Sequence, residues 1–198
     1  MNNKTVWYVK VAMLSAVATI LMLFEFPIPF VAPPFYELDF SEVPVLLGAF
    51  ALGPIAGVVI EGVKILLNLI INGTVTAGVG EAANFVLGVL FVLPAALVYK
   101  KTRSKKGAII GLLIGSLAMI VGGCLINAFV MLPIYAVAFK MPVEAFFGMA
   151  TKIWPQIDTM LEFVVLCVAP FNLIKAVFVS AITLVIYKPL RRLLKGRN

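Results

Sequence analysis

Lys100-Lys101-Thr102-Arg103-Ser104-Lys105-Lys106 puts five positive charges into seven residues, between two apolar stretches at about 80–99 and 107–139. A transmembrane helix needs roughly 20 consecutive apolar residues, and both flanks reach that length. A basic corner between two such stretches reads as a loop held on one side of a bilayer. The composition agrees. Of 198 residues, 63% are hydrophobic and 13% charged, against about 25% charged in a typical soluble domain. One soluble core cannot hide so much apolar surface, so lipid is the expected solvent. Disorder is excluded, and a cytosolic or secreted globular domain is a poor fit. The net charge of +7 sits beside apolar stretches, which favours a membrane surface over nucleic acid.

Working outward, six apolar segments emerge, at about 6–26, 42–53, 54–72, 80–99, 107–139 and 157–188. Gly53-Pro54 divides the second from the third, which together predict a hairpin of short or tilted helices. The fifth and sixth are longer than one span, and Pro133 and Pro170 are the expected break points. The first segment runs into Pro27-Ile28-Pro29 with no small-residue cleavage site, unlike a signal peptide. Twelve of the sixteen Lys and Arg residues fall in three places. These are Lys4 and Lys10, the basic corner, and a tail with Lys188, Arg191, Arg192, Lys195 and Arg197. Six spans put all three on one side, the cytoplasmic side by charge. The opposite loops, about 27–41, 73–79 and 140–156, hold only Lys140 and Lys152. Most acidic residues (Glu25, Glu37, Asp39, Glu42, Glu81, Glu144, Asp158 and Glu162) cluster near that outer side. The expectation is an all-α membrane protein of six transmembrane helices with N and C termini cytoplasmic, a single integral membrane domain over 1–198.

Several chemistries are missing. The chain has no histidine, which removes His-based triads, metal sites and proton relays. It has no G-x-x-x-x-G-K-[ST] phosphate loop and no metal-ligand cluster. Cys124 and Cys167 lie inside apolar runs and read as packing residues. Glu61 is the one acidic residue at depth, and Lys64, three residues on, is placed to neutralise it. Catalysis is therefore a weak reading.

The outer half is richer in polar side chains. With a helical rise of 1.5 Å per residue, Asn127 lies about 30 Å from Gly107, and Asn172 and Lys175 lie about 22 and 18 Å from Tyr187. Asn84 falls about 24 Å from Lys100. Asn172 and Lys175 share a helix face. A membrane asparagine is often interhelical glue, but an ammonium at that depth needs a cavity or a partner. Glu162 and Asp158 are candidate partners. The first outer loop, Phe26-Pro27-Ile28-Pro29-Phe30-Val31-Ala32-Pro33-Pro34-Phe35-Tyr36-Glu37-Leu38-Asp39-Phe40, has a backbone restricted by four prolines. Its aromatics suit a membrane interface or, better, a semi-rigid lid over a pocket. Stripes of small residues (Ala12 and Ala16; Ala49, Gly53 and Gly57; Gly107, Gly111 and Gly115) allow close helix approach. They mean packing within the chain more often than a partner surface.

Four motifs carry a resemblance: Phe-Glu-Phe-Pro-Ile-Pro-Phe at 24–30, Phe-Tyr-Glu-Leu-Asp-Phe-Ser-Glu-Val-Pro at 35–44, Gly-Val-Gly-Glu-x-x-Asn-Phe at 78–85 and Phe-Asn-x-x-Lys at 171–175. With the size, the six spans and the basic corner and tail, the chain resembles the S-components of energy-coupling factor (ECF) vitamin transporters, most closely the riboflavin-specific ones. The resemblance implies capture of riboflavin from outside, in a pocket under the first outer loop and among the outer ends of the fourth to sixth helices. By motif position it assigns Glu37, Leu38, Asp39 and Phe40 to the loop wall, and Asn127, Asn172 and Lys175 to polar contacts. It implies that Ala12 and Ala16 contact a membrane coupling (T) protein driven by two cytoplasmic ATPase subunits, in the plasma membrane of a prokaryote. Riboflavin would be a transported ligand, with no cofactor and no catalysis. An S-component for another vitamin and a stand-alone facilitator are the alternatives.

Overall fold

The computed structural model describes residues 3–74, 76 and 78–195, with side chains from Lys4 to Tyr187 within that range. Arg197 of the basic tail lies outside the described residues. Helices α1 (Asn3–Met22), α2 (Glu42–Leu52), α3 (Pro54–Asn72), α4 (Val79–Thr102) and α5 (Lys105–Ile126) follow in order. A π-helical turn (Asn127–Met131) joins α5 to α6 (Leu132–Phe139), and α7 (Val143–Ala150) packs beside it. Helix α8 (Met160–Phe163), a second π turn (Val164–Val168) and α9 (Ala169–Lys195) complete the chain. Five helical stretches are long and apolar enough to cross a membrane: Lys4–Met22, Pro54–Asn72, Val79–Thr102, Lys105–Phe139 and Met160–Tyr187. The fold is nearly all-helical. The exception is a two-residue antiparallel pair inside the first loop, β1 (Phe26–Pro27) against β2 (Glu37–Leu38).

The expected hairpin forms, with a different balance between its arms. Gly53 adopts φ 107°, a conformation favourable to glycine, and Pro54 starts α3 where a missing N–H costs nothing. Helix α2, however, has 11 residues, about 16 Å of rise against a hydrocarbon core of about 30 Å. Nine of those residues are buried, and α2 packs on α1, α3, α4 and α9. It is the apolar plug of the bundle. Its one acidic side chain, Glu42, accepts from Lys64 Nζ at 2.8 Å, and Glu61 of α3 lies 2.7 Å from the same ammonium. The expected Glu61–Lys64 pair is thus a triad that fastens α2 to α3, with every member at most 1% exposed.

The basic corner closes α4 onto α5. Arg103 takes the left-handed conformation, and the Ser104 hydroxyl caps α5 by accepting from the Gly107 amide at 3.0 Å. The glycine stripe then packs inside the chain. A Cβ on Gly111 would collide with the Ala95 carbonyl oxygen, and one on Gly115 with that of Phe91. The stripe continues through Met119 to Gly123. Gly57 likewise meets Ala49 across the α2–α3 contact, whereas Gly53 serves backbone conformation alone.

Neither Pro133 nor Pro170 breaks its helix. Each follows a π turn by two residues. Proline lacks the N–H for the residue four back, and its ring crowds that carbonyl; wider turns absorb the mismatch. The Leu132 N–H donates to the Asn127 oxygen, and the Ala169 N–H to that of Val164. The 140–156 stretch, expected as a loop, contains α7. Its Phe146, Phe147 and Ala150 are buried against Ile28, Val31, Leu38 and Phe163. This gives the first loop a hydrophobic core of its own, separate from the bundle core around Phe91, Ala95 and Leu112.

Two outcomes test this packing. Lys64→Met leaves two buried carboxylates without their cation and should destabilise the protein by about 3–5 kcal/mol, seen as a lowered melting temperature in detergent. Adding Glu42→Gln and Glu61→Gln should recover much of the loss. Gly115→Val, which drives a side chain into backbone, should abolish recovery of folded protein. Gly148→Ala, with open space around it, should be neutral or slightly stabilising.

Candidate functional site

A cavity of about 420 Å³ lies beneath the first loop, bounded by the outer ends of α3 and α4, the first π turn and α9. Asn127, Asn172, Lys175 and Glu37 all line it. The structure therefore brings together three side chains spread over two helices and one from the loop.

Asn172 is 4% exposed, lines the cavity and has no hydrogen-bond partner among the described residues. Its Nδ2 fits against Gly123, where a Cβ would come within 2.6 Å; the α5 stripe thus ends by making room for this carboxamide. Leaving such a group dry and unpaired is costly, so its position is one that a polar ligand would relieve. Asn127 opens the π turn. Its Nδ2 donates to the Gly123 carbonyl at 2.9 Å, and its Oδ1 accepts from the Tyr36 hydroxyl at 2.6 Å. Tyr36 stacks obliquely on Phe171, so the loop closes on both helices through one aromatic side chain.

Lys175 finds a partner different from either carboxylate expected. Its Nζ donates to Asp39 Oδ2 at 2.9 Å, and Asp39 Oδ1 accepts from the Ser41 amide at 2.6 Å. Burial alone would raise the Asp39 carboxyl; the Lys175 and Lys64 charges and the two hydrogen bonds outweigh it and hold it at about 2. Glu162, one of the expected partners, caps α8 with Thr159. Asp39 itself, Leu38 and Phe40 do not line the cavity. Leu38 is buried in the loop core, Phe40 packs against Phe26, and Asp39 stands behind Lys175. Ala12 and Ala16 lie far from this cavity's lining, on the exposed face of α1, while Ser15 and Thr19 on the other face bond back to carbonyls one turn earlier.

Sequence reasoning passed over other lining residues. Asn68 and Asn72 of α3 are joined by a 3.0 Å hydrogen bond, and their i, i+4 spacing at a helix end was the available signal. Asn84 reaches the wall. Glu81 accepts from the Thr74 and Thr76 hydroxyls at 3.1 and 3.2 Å. Glu25 is pushed up to about 7 by partial burial and by the carboxylates of Glu37, Asp39 and Glu81, against the pull of Lys175. Among the described residues no cluster of acidic or cysteine side chains is arranged to hold a metal ion. A larger hollow, about 830 Å³, lies at the opposite end beside Gly53-Pro54, lined by Trp7, Leu52, Ile55 and Leu97, with Lys100 and Arg103. It lacks converging carboxamides; the smaller cavity has them, as small-molecule sites do.

Comparison with known proteins agrees with this choice of end. Residues 8–187 match the family described as ECF transporter, substrate-specific component. The riboflavin transporter RibU of Staphylococcus aureus is 37% identical over 94% of this chain and 91% of its own length. The riboflavin transporter FmnP of Bacillus subtilis is 35% identical over 92% and 90%. A solved structure described as the S component of a bacterial ECF transporter superimposes with a TM-score of 0.75 at 37% identity, covering 99% of this chain and all of that one. These relatives transport and do not catalyse. A match running from the first helix to Tyr187, with the same fold throughout, leaves one assignment: the chain belongs to the substrate-specific components of ECF transporters.

Proposed function

We propose that this protein is a riboflavin-binding S-component. It takes the vitamin from outside the cell and hands it inward through a membrane coupling protein driven by two cytoplasmic ATPase subunits. In this reading the whole chain is one integral unit in the bacterial plasma membrane. Helix α2 counts as a sixth, short crossing, and both termini are cytoplasmic. The charge asymmetry of the loops supports that orientation, and the names of the relatives support the ligand.

The observation that carries the proposal is the buried, unpaired Asn172 facing the cavity. Riboflavin joins a flat heteroaromatic ring to a polyhydroxyl chain. The ring's imide edge presents a donor between acceptors, and a carboxamide offers both complements. Phe171, Leu87 and Met119 give the ring apolar walls. The cavity falls within the range of small-molecule sites, roughly 300–1,000 Å³. Lys175, held by Asp39, presents its remaining protons to the same space. The loop is pre-ordered by prolines, by the β1–β2 pair and by its own core, which reduces the entropy lost on closing over a ligand.

Asn172→Leu removes no hydrogen bond present in the ligand-free protein. It should fold normally and bind riboflavin at least about tenfold more weakly, measured by calorimetry in detergent. Unchanged affinity would contradict the pocket assignment, and tight binding of a different vitamin by the wild type would contradict the ligand. Ala12→Trp and Ala16→Trp, on the exposed face of α1, should leave riboflavin affinity intact and prevent co-purification with the coupling protein. An intact complex in both would contradict the partner role.

A further inference from the structure

The cavity has two chemically different ends. Its deep end holds Asn127, Asn172 and Lys175, each at most 8% exposed. Its mouth holds Glu25 and Glu81, half-buried, and Glu37, exposed. These carboxylates stand close enough that Glu37 and Glu81 both act on the Glu25 carboxyl. Cations do not balance them there. Lys175 is the only lysine or arginine lining the cavity, and its ammonium is already bonded to Asp39. The N-terminus of α4, which would otherwise attract an anion, carries Glu81 in its first turn. Thr74 and Thr76 hold that carboxylate in place.

The unpaired Asn172 carboxamide fixes which way a flavin enters, because the ring's imide edge is the part able to satisfy it. The polyhydroxyl chain then points back to the mouth. Its hydroxyls donate readily to carboxylates. A phosphate ester at the same terminus would instead bring about two negative charges among three carboxylates.

We propose that Glu25, Glu37 and Glu81 form a charge filter at the mouth, admitting flavins with a neutral polyol chain and rejecting their phosphate monoesters. The inference rests on the riboflavin reading of the pocket and adds its discrimination.

The test compares riboflavin with riboflavin 5′-phosphate by flavin fluorescence quenching on the full-length protein at pH 8, above the raised Glu25 value. At low salt the wild type should favour riboflavin by at least about tenfold. Raising the salt to about 1 M, where screening acts over about 3 Å, should shrink that preference by weakening repulsion of the phosphate. The Glu25→Gln/Glu81→Gln protein should shrink the low-salt preference by at least about fivefold and lose most of its salt dependence. Equal affinity of the wild type for both flavins, or a preference unmoved by salt and by the double substitution, overturns the filter while leaving the riboflavin reading standing. No binding of riboflavin by the wild type overturns both. The salt series needs no variant, so poor folding of the double substitution does not shelter the proposal.

Discussion

The ion pair between Asp39 and Lys175 joins the two parts of this protein that the sequence separates most widely. One partner sits on the loop after α1, and the other at depth on α9. An ammonium there is costly without a partner, and so is a buried carboxylate. Each removes the other's penalty, and the loop is drawn down onto the bundle as a result. Glu42, three residues after Asp39, repeats the device with Lys64 of α3. The short Asp39–Glu42 segment is thereby anchored to two helices through two buried lysines, and the loop has a fixed floor on which its own apolar core can assemble.

The long helices were legible because lipid imposes a length and an apolar composition that soluble folds do not. The basic corner at 100–106 and the Gly53-Pro54 division could be read residue by residue. So could the convergence of Asn127, Asn172 and Lys175, since helical rise places each at a similar height. Rotation about the helix axis is what height does not give. Three consecutive loop residues expected at the wall, Leu38, Asp39 and Phe40, alternate in direction, and none of them reaches the cavity. The partner of Lys175 was hidden for a related reason: Asp39 is 136 residues away in the chain, and only the folded loop brings it near. Helix α7 was masked because its few apolar residues answer to the loop core and to no membrane period.

The small-residue stripes divide into two kinds once packed. Those on α5 and at Gly57 are consumed inside the molecule, where a methyl group would strike backbone or a neighbouring side chain. Ala12 and Ala16 remain outside, on a helix whose opposite face is well buried. Sequence alone gives the two kinds the same appearance, because four-residue spacing records a shared face and is silent about what that face meets.

The two π turns have a consequence for how the molecule tolerates change. Each accommodates one residue more than regular α-helix in the same rise, so the phase of the helix after the turn is set independently of the phase before it. The bundle dictates the first, and the assembly around the loop dictates the second. A shortening by one residue inside 127–131 would restore an uninterrupted α-helix and swing everything on its far side by about 100°. Tyr135 and Leu132 would leave their seats although no contact of theirs had been altered directly. The extra residue thus serves as a rotary joint, letting the pocket roof and the membrane body each keep its own preferred facing.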